Sequence, residues 1–379
     1  MKRMKKIIRA AAVMLAVLTA AVLMPITAAA EDRADALISA GGGDELFSSL
    51  SEETRELLSE TGIDGIRFDS IFSVTSDGII SMFRKLVTGG IEAPSKSLVR
   101  LIAVIILLSV CECFMPEDGQ MKTVSETAGV LLCIISVISP LTTAVSSAAA
   151  SVSVSCDFML GLIPVLAGVI TAAGNPSLAL SFRSIAFAAA QIISGFSKNQ
   201  ITPLVGVVLS LDIIGSIMPS FRLESLTELI KKTLTVILSF AATLFVSFLG
   251  LKSALANAAD TVASRGIKLA ISSAVPVVGG ALSEAYSGVM GSLVLAKSTL
   301  GVFGIAAIAL INMPSCVQLL FWIFALRLGA AAGELFGQQG TAKLLKAIAS
   351  AITLLNVVLL FNAVLFIIST ALILLIKAG

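Results

Sequence analysis

Apolar runs of close to 20 residues recur along this 379-residue chain, and they constrain its fold more than any motif does. A run of that length is what an α-helix needs to cross a hydrocarbon layer about 30 Å thick. The densest stretch, Arg265–Gly337, begins RGIKLAISSAVPVVGGALSEAYSGVMGSLVLAKSTLGVFG and continues IAAIALINMPSCVQLLFWIFALRLGAAAGELFG. It is rich in Gly, Ala and Ser, carries isolated charges and is interrupted by Pro276, by Gly279 and Gly280, and by Pro314. Small residues let helices approach closely in lipid, and broken segments survive there only where protein or water satisfies the freed backbone groups. The expected fold is therefore all-α, a polytopic helical membrane protein packed around this stretch.

Only 13% of the residues are charged and 57% are hydrophobic, against about 25% charged in an ordinary soluble domain. The charge is also unevenly spread: residues 31–100 hold 13 of the 24 acids and 7 of the 26 bases, which marks that segment as the water-facing part. No basic stripe with interleaved aromatics exists, so no nucleic-acid partner is expected. There is no histidine, which removes His-based acid–base catalysis, His metal sites and the Ser-His-Asp triad. The five cysteines form no CxxC pair and lie in or beside apolar runs, as buried free thiols do. The octapeptide Gly291–Ser298 nearly matches a phosphate loop, but Ala296 replaces the second glycine and no strand precedes it. No catalytic, cofactor-binding or metal-binding residue is assigned, and an enzyme is not expected.

Three domains are expected. Residues 1–30 read as a signal peptide: a basic start (Lys2, Arg3, Lys5, Lys6, Arg9), an apolar core, then Ala28–Ala30 as a small-residue cleavage site before Glu31. Cleavage is favoured; an uncleaved anchor is the alternative. Residues 31–97 form an extracytoplasmic amphipathic region, with one helix from Asp44 to Glu60 and a second from Asp77 to Val87 closed by Gly89-Gly90. The second helix is open to two readings: lying on the membrane or a partner, or packing on its own membrane domain. Residues 98–379 carry about seven to nine spans. These fall near 98–115, 124–145, 158–173, 178–196, 201–218, 233–251, 289–311, 314–332 and 351–376, with 252–287 re-entrant or interfacial. Pro164 is a candidate kink, and Pro314 sits where a helix start favours proline. The basic loop 219–232 is assigned to the cytoplasm.

Asp212, Lys297 and Arg327 fall inside apolar spans. A charge there costs roughly 2.5–3.5 kcal/mol, so it usually faces a bundle interior, a partner or a water path. The expectation is a polar lining or buried ion pairs such as Asp212 with Lys297 or Arg327, with snorkelling of the long side chains to the interface as the alternative. Arg183, Asp157 and Glu334, near span ends, are expected to reach the interface. Gly329, Gly333 and Gly337 make a double GxxxG, expected as an internal packing face, with a homo-oligomer seam as the alternative.

The stretch from Gly266 through Gly337, with its P-V-x-G turn, a Lys in an apolar helix and a following F-G-I-A run, resembles the stage III sporulation protein AE family of endospore-forming bacteria. The likeness extends to the order of signal segment, acidic ectodomain and multi-span domain. It implies a multi-pass protein of the mother-cell membrane around the forespore, a permease-like pore or transport subunit of the channel complex joining the two cells. It also implies partners among the other stage III sporulation A proteins and the forespore stage II sporulation protein Q. A non-conducting scaffold that recruits ring-forming partners is the alternative. The lipid bilayer is the one partner that composition itself implies.

Overall fold

The computed structural model describes residues 28–72, 74–114, 119–172, 176–196, 202–217, 223–241, 243, 247 and 279–375. The expected signal core, the segment 252–278 with Pro276, and Lys377 lie outside the described residues. Everything regular within them is helical: α1 (Ala28–Ala40), α2 (Gly43–Ser48), α3 (Glu52–Glu60), α4 (Phe68–Phe72), α5 (Ser76–Cys113), α6 (Gly119–Ala172), α7 (Pro176–Phe196), α8 (Thr202–Ile217), α9 (Gly279–Leu335) and α10 (Gln339–Leu375). A further helical run occupies 223–241.

Several sequence boundaries disappear. Residues 77–87 and 98–113 belong to one helix, because the buried stripe Met82, Leu86, Gly90, Pro94, Ser97, Leu101, Ile105 and Leu108 continues across Gly89-Gly90. Gly90 is a packing residue there: a Cβ would meet the Val317 side chain at 3.2 Å. Ile79, Ile80 and Phe83, near the start of this helix, stay exposed. The Ser/Ala run 146–155 joins two expected spans into the 54-residue α6, with Ala144, Ala148, Val152, Ser155 and Cys156 buried. Pro314 starts no helix; it lies inside the 57-residue α9, with Leu310, Ile311 and Ser315 buried around it. Pro164 likewise lies inside α6, and Gly279 and Gly280 open α9. At Gly90 and in the Ser/Ala run a neighbouring helix supplies the packing that the local signal lacks.

Among the described residues, three helical segments are long and apolar enough to cross a membrane: Val124–Thr171, Gly291–Leu335 and Gln339–Ala371. The first two each take in two of the expected spans. At 1.5 Å per residue, α6 and α9 are each roughly 80 Å long, well over twice one hydrocarbon layer. Part of each must therefore lie outside lipid.

Side-chain register identifies that part. α9 runs antiparallel to both α6 and α10: Gly304 faces Leu162 and Thr370, and Gly329 faces Leu345 and, on α5, Leu101. Around 158–172 and 291–311 the chain's own first helices close in. Phe47 packs against Phe303 with the rings tilted by 41° and 6.0 Å apart, and Phe158 meets the same ring edge-on at 6.3 Å. The loop after α1 lies backbone to backbone on α6, where a Cβ on Gly168 would meet Gly41 Cα at 3.0 Å. Ala34, Ile38, Leu46 and Leu58 point inward, while Asp32, Arg33, Asp44, Glu45, Glu52 and Glu53 face out. On that side the apolar helices are covered by protein with a charged outer face. At the other end of the bundle the outward groups are Val99, Ile106, Leu107, Leu131, Ile135, Leu320, Phe324 and Leu328, as acyl chains require. The end of α10 lies at the same end of the bundle as α1–α4, because Thr370 neighbours Gly304.

Acidic contacts join α1 to α4. Asp35 accepts a hydrogen bond from the Phe68 amide at 3.2 Å. Glu31 is held above the usual carboxylate range, chiefly by its hydrogen bond with Asp69 and also by the charges of Asp69, Asp35 and Asp32. A raised folded-state pKa stabilises fully below the ordinary value and is lost as pH rises through the folded one. Glu31→Gln, a permanent donor, should therefore slow proteolysis of residues 28–72 at pH 7 and make no difference at pH 4. Equal cleavage rates of variant and parent at pH 7 would refute this assignment.

Candidate functional site: a polar seam in the apolar bundle

Midway along the bundle, α3, α5, α6 and α9 meet at a cleft of about 510 Å³. Its walls carry Glu53, Glu56, Lys85, Ser147, Ser151, Ser315 and Gln318, beside Gly89, Gly90 and Pro314. Lys85 bridges Glu56 at 2.5 Å and Glu60 at 2.9 Å, tying α3 to α5. These two carboxylates hold the Lys85 ammonium above its usual pKa. The glycines leave room for the cleft, and the Ser/Ala run of α6 supplies its hydroxyls.

Beneath it, polar side chains follow the contact of α6, α9 and α10 through an otherwise apolar core. Ser151 and Ser315 hydroxyls bond at 2.7 Å. Asn312 Nδ2 donates to Ser155 Oγ and to the Ile308 carbonyl, both at 2.7 Å. The Cys156 thiol donates to Asn362 Oδ1 at 3.8 Å. Asn312 is 3% exposed, Asn356 5% and Asn362 0%. Even so, Asn312 Oδ1, Asn356 Oδ1, Asn362 Nδ2 and Trp322 Nε1 have no hydrogen-bond partner among the described residues. A buried amide group left unpaired costs roughly 1–3 kcal/mol, and groups of this kind are ordinarily satisfied by water. The seam thus consists of hydrogen-bonding groups lining helix contacts and suits water or small polar solutes. Glu56 is committed to Lys85. Among the described residues, no group of three His, Cys, Asp or Glu is placed to hold a metal ion.

The charges singled out in the sequence do not converge here. Asp212 (α8) pairs with Lys231 at 2.7 Å, the two side chains being 4% and 17% exposed. Its partner is Lys231, and not Lys297 or Arg327 as expected. Lys297 is buried in the upper part of α9. Arg327 is exposed and lines a different cleft. Asp157, Arg183 and Glu334 are exposed, and Glu334 pairs with Lys346. Gly329 packs on Leu345 and Leu101, Gly333 on Ala342, and Gly337 ends α9 at φ 79°. Sequence reasoning missed Asn312, Ser155 and Lys231. Asn312 carried a readable signal, an amide two residues before a proline in an apolar run; Lys231 carried none, because its partner depends on how two helices lie side by side.

A helical membrane protein built on over-long apolar helices, with a polar seam between them, is the class this arrangement defines. Residues 68–377 match the family described as stage III sporulation protein AE, and the chain belongs to that family, whose role is in sporulation. It is 23% identical over 215 residues to the stage III sporulation protein AE of Bacillus subtilis (strain 168). That alignment covers 56% of this chain and 54% of the relative, so the chain spans about half the length of the curated relative it matches. No solved structure matches the chain.

Proposed function

We propose that this chain is the permease-like pore or transport subunit of the mother cell–forespore channel complex needed for endospore development. It resides in the mother-cell membrane around the forespore. Its partners are the other stage III sporulation A proteins and the forespore stage II sporulation protein Q. The observation that carries the reading is the buried seam Ser151–Ser315, Ser155–Asn312 and Cys156–Asn362, with amide atoms left over for water. A bundle selected for stability alone gains little from unpaired amides between apolar helices. Flux of small polar solutes into liposomes holding the assembled complex tests it. Asn312→Leu should lower flux about three- to tenfold, the worth of one net hydrogen bond, while membrane insertion and assembly stay intact. Unchanged flux would remove the seam from the path.

A second reading, a non-conducting scaffold, is favoured by the exposed apolar face of Ile79, Ile80, Phe83 and Ile91 on α5. Ile80→Glu with Phe83→Glu separates the two: a scaffold loses partner recruitment, whereas a pore subunit that docks elsewhere keeps it.

A further inference from the structure

At the end of the bundle far from α1–α4, three helices bring three cations to one cleft of about 380 Å³. Lys231 comes from the run 223–241, Arg327 from α9 and Lys346 from α10, with the hydroxyl-bearing Thr235, Ser350 and Thr353 in the same walls. Two of the cations are already engaged, Lys231 with Asp212 and Lys346 with Glu334. Arg327 has neither a carboxylate nor a hydrogen-bond partner among the described residues, and while the Thr235 and Thr353 hydroxyls donate to the Lys231 and Ala349 carbonyls, the Arg327 guanidinium and the Ser350 hydroxyl line the cleft unspent. The local balance is three positive charges against two negative ones, and the excess sits on Arg327.

The surroundings select the kind of anion. Arg327 lies about 12 Å along the axis from the end of α9 at Leu335, a depth from which a long side chain reaches the membrane surface. Val357 lines the cleft itself. Phe324, one turn before Arg327, is 62% exposed, and Val236 on the neighbouring run is 60% exposed. The polar recess thus opens along a wall that has the character of a lipid-facing surface. A soluble phosphate would use only the recess, whereas a phospholipid uses recess and wall together. A guanidinium presents paired N–H donors that match phosphate oxygens, and basic pockets between membrane helices are suited to anionic headgroups.

We propose that this cleft seats the phosphate of an anionic phospholipid. Arg327 grips it, Lys231 and Lys346 flank it, and the acyl chains run along Phe324, Val357 and Val236. The site is separate from the polar seam and does not depend on what the seam conducts.

Native mass spectrometry of the full-length protein in detergent, titrated with phosphatidylglycerol or phosphatidylcholine, tests the assignment. The parent should retain phosphatidylglycerol about tenfold better, the size of a hydrogen bond to a charged group. Arg327→Gln should erase the preference, Arg327→Lys should keep part of it, and Ser350→Ala should weaken it two- to threefold. Lys96→Gln, on the exposed face of α5, should leave it unchanged. If Arg327→Gln does not purify as a single species, Arg327→Lys and Ser350→Ala decide the matter. Equal retention of the two lipids by the parent, or undiminished preference in these variants, overturns the proposal. So does complete displacement of phosphatidylglycerol by millimolar inorganic phosphate, which would mark a soluble anion as the occupant.

Discussion

Asp212→Ala is expected to destabilise the bundle by about 3–5 kcal/mol, because it strands the Lys231 ammonium without its carboxylate in a buried setting. The pair is 2.7 Å apart with the Asp212 side chain only 4% exposed, so little solvent screens it. It joins α8 to the run 223–241, and its loss should appear as a lower midpoint of denaturation in detergent. The same physics predicts a rescue. Asp212→Leu combined with Lys231→Met removes both charges, and the double variant should recover most of the loss. A single variant within about 1 kcal/mol of the parent would show that the two groups are solvated and that the ion pair does not organise this corner.

Gly168→Leu is expected to lift the first four helices off the bundle. Its Cβ would stand 3.0 Å from both Gly41 Cα and the Gly41 carbonyl oxygen, and backbone atoms cannot swing aside as a side chain can. Overpacking of this kind costs roughly 1–3 kcal/mol. A penalty of about 2 kcal/mol raises the open population some thirtyfold. Limited proteolysis of residues 28–72 should speed up accordingly, while the membrane-facing part of the bundle stays helical. Gly195→Ala is the control, since nothing lies within 4 Å of a Cβ there. Unchanged proteolysis in Gly168→Leu would mean that α1–α4 do not rest on α6 in solution, and that residues 158–172 are covered by something else.

Particular residues show where sequence reasoning held and where it stopped. The apolar runs made an all-helical membrane protein legible, since hydrocarbon leaves helices as one of few ways to satisfy a backbone. The acid-rich segment was legible as water-facing, and its outward carboxylates on α1–α3 follow from that. Gly90 and Pro314 were read as helix ends because punctuation rules judge a segment by itself. Gly90 leaves space for Val317, Ser151 bonds Ser315, and the chain around Pro314 is buried by its neighbours, so none of them interrupts a helix. The polar seam was not legible as a unit: nothing in the sequence placed Asn362 beside Cys156, 206 positions away.

The sequence alone determined the class of environment: helices in lipid at one level, acidic helices in water at another, and no histidine chemistry. Those outcomes depend on transfer free energy and backbone satisfaction, which are properties of each segment. Only the tertiary structure decided that α6 and α9 outrun the bilayer, that the chain clothes part of them itself, and that Asp212 meets Lys231 while Arg327 is left open to an anion. These depend on which helix lies beside which, a choice made by close packing across large sequence separations that no single segment encodes.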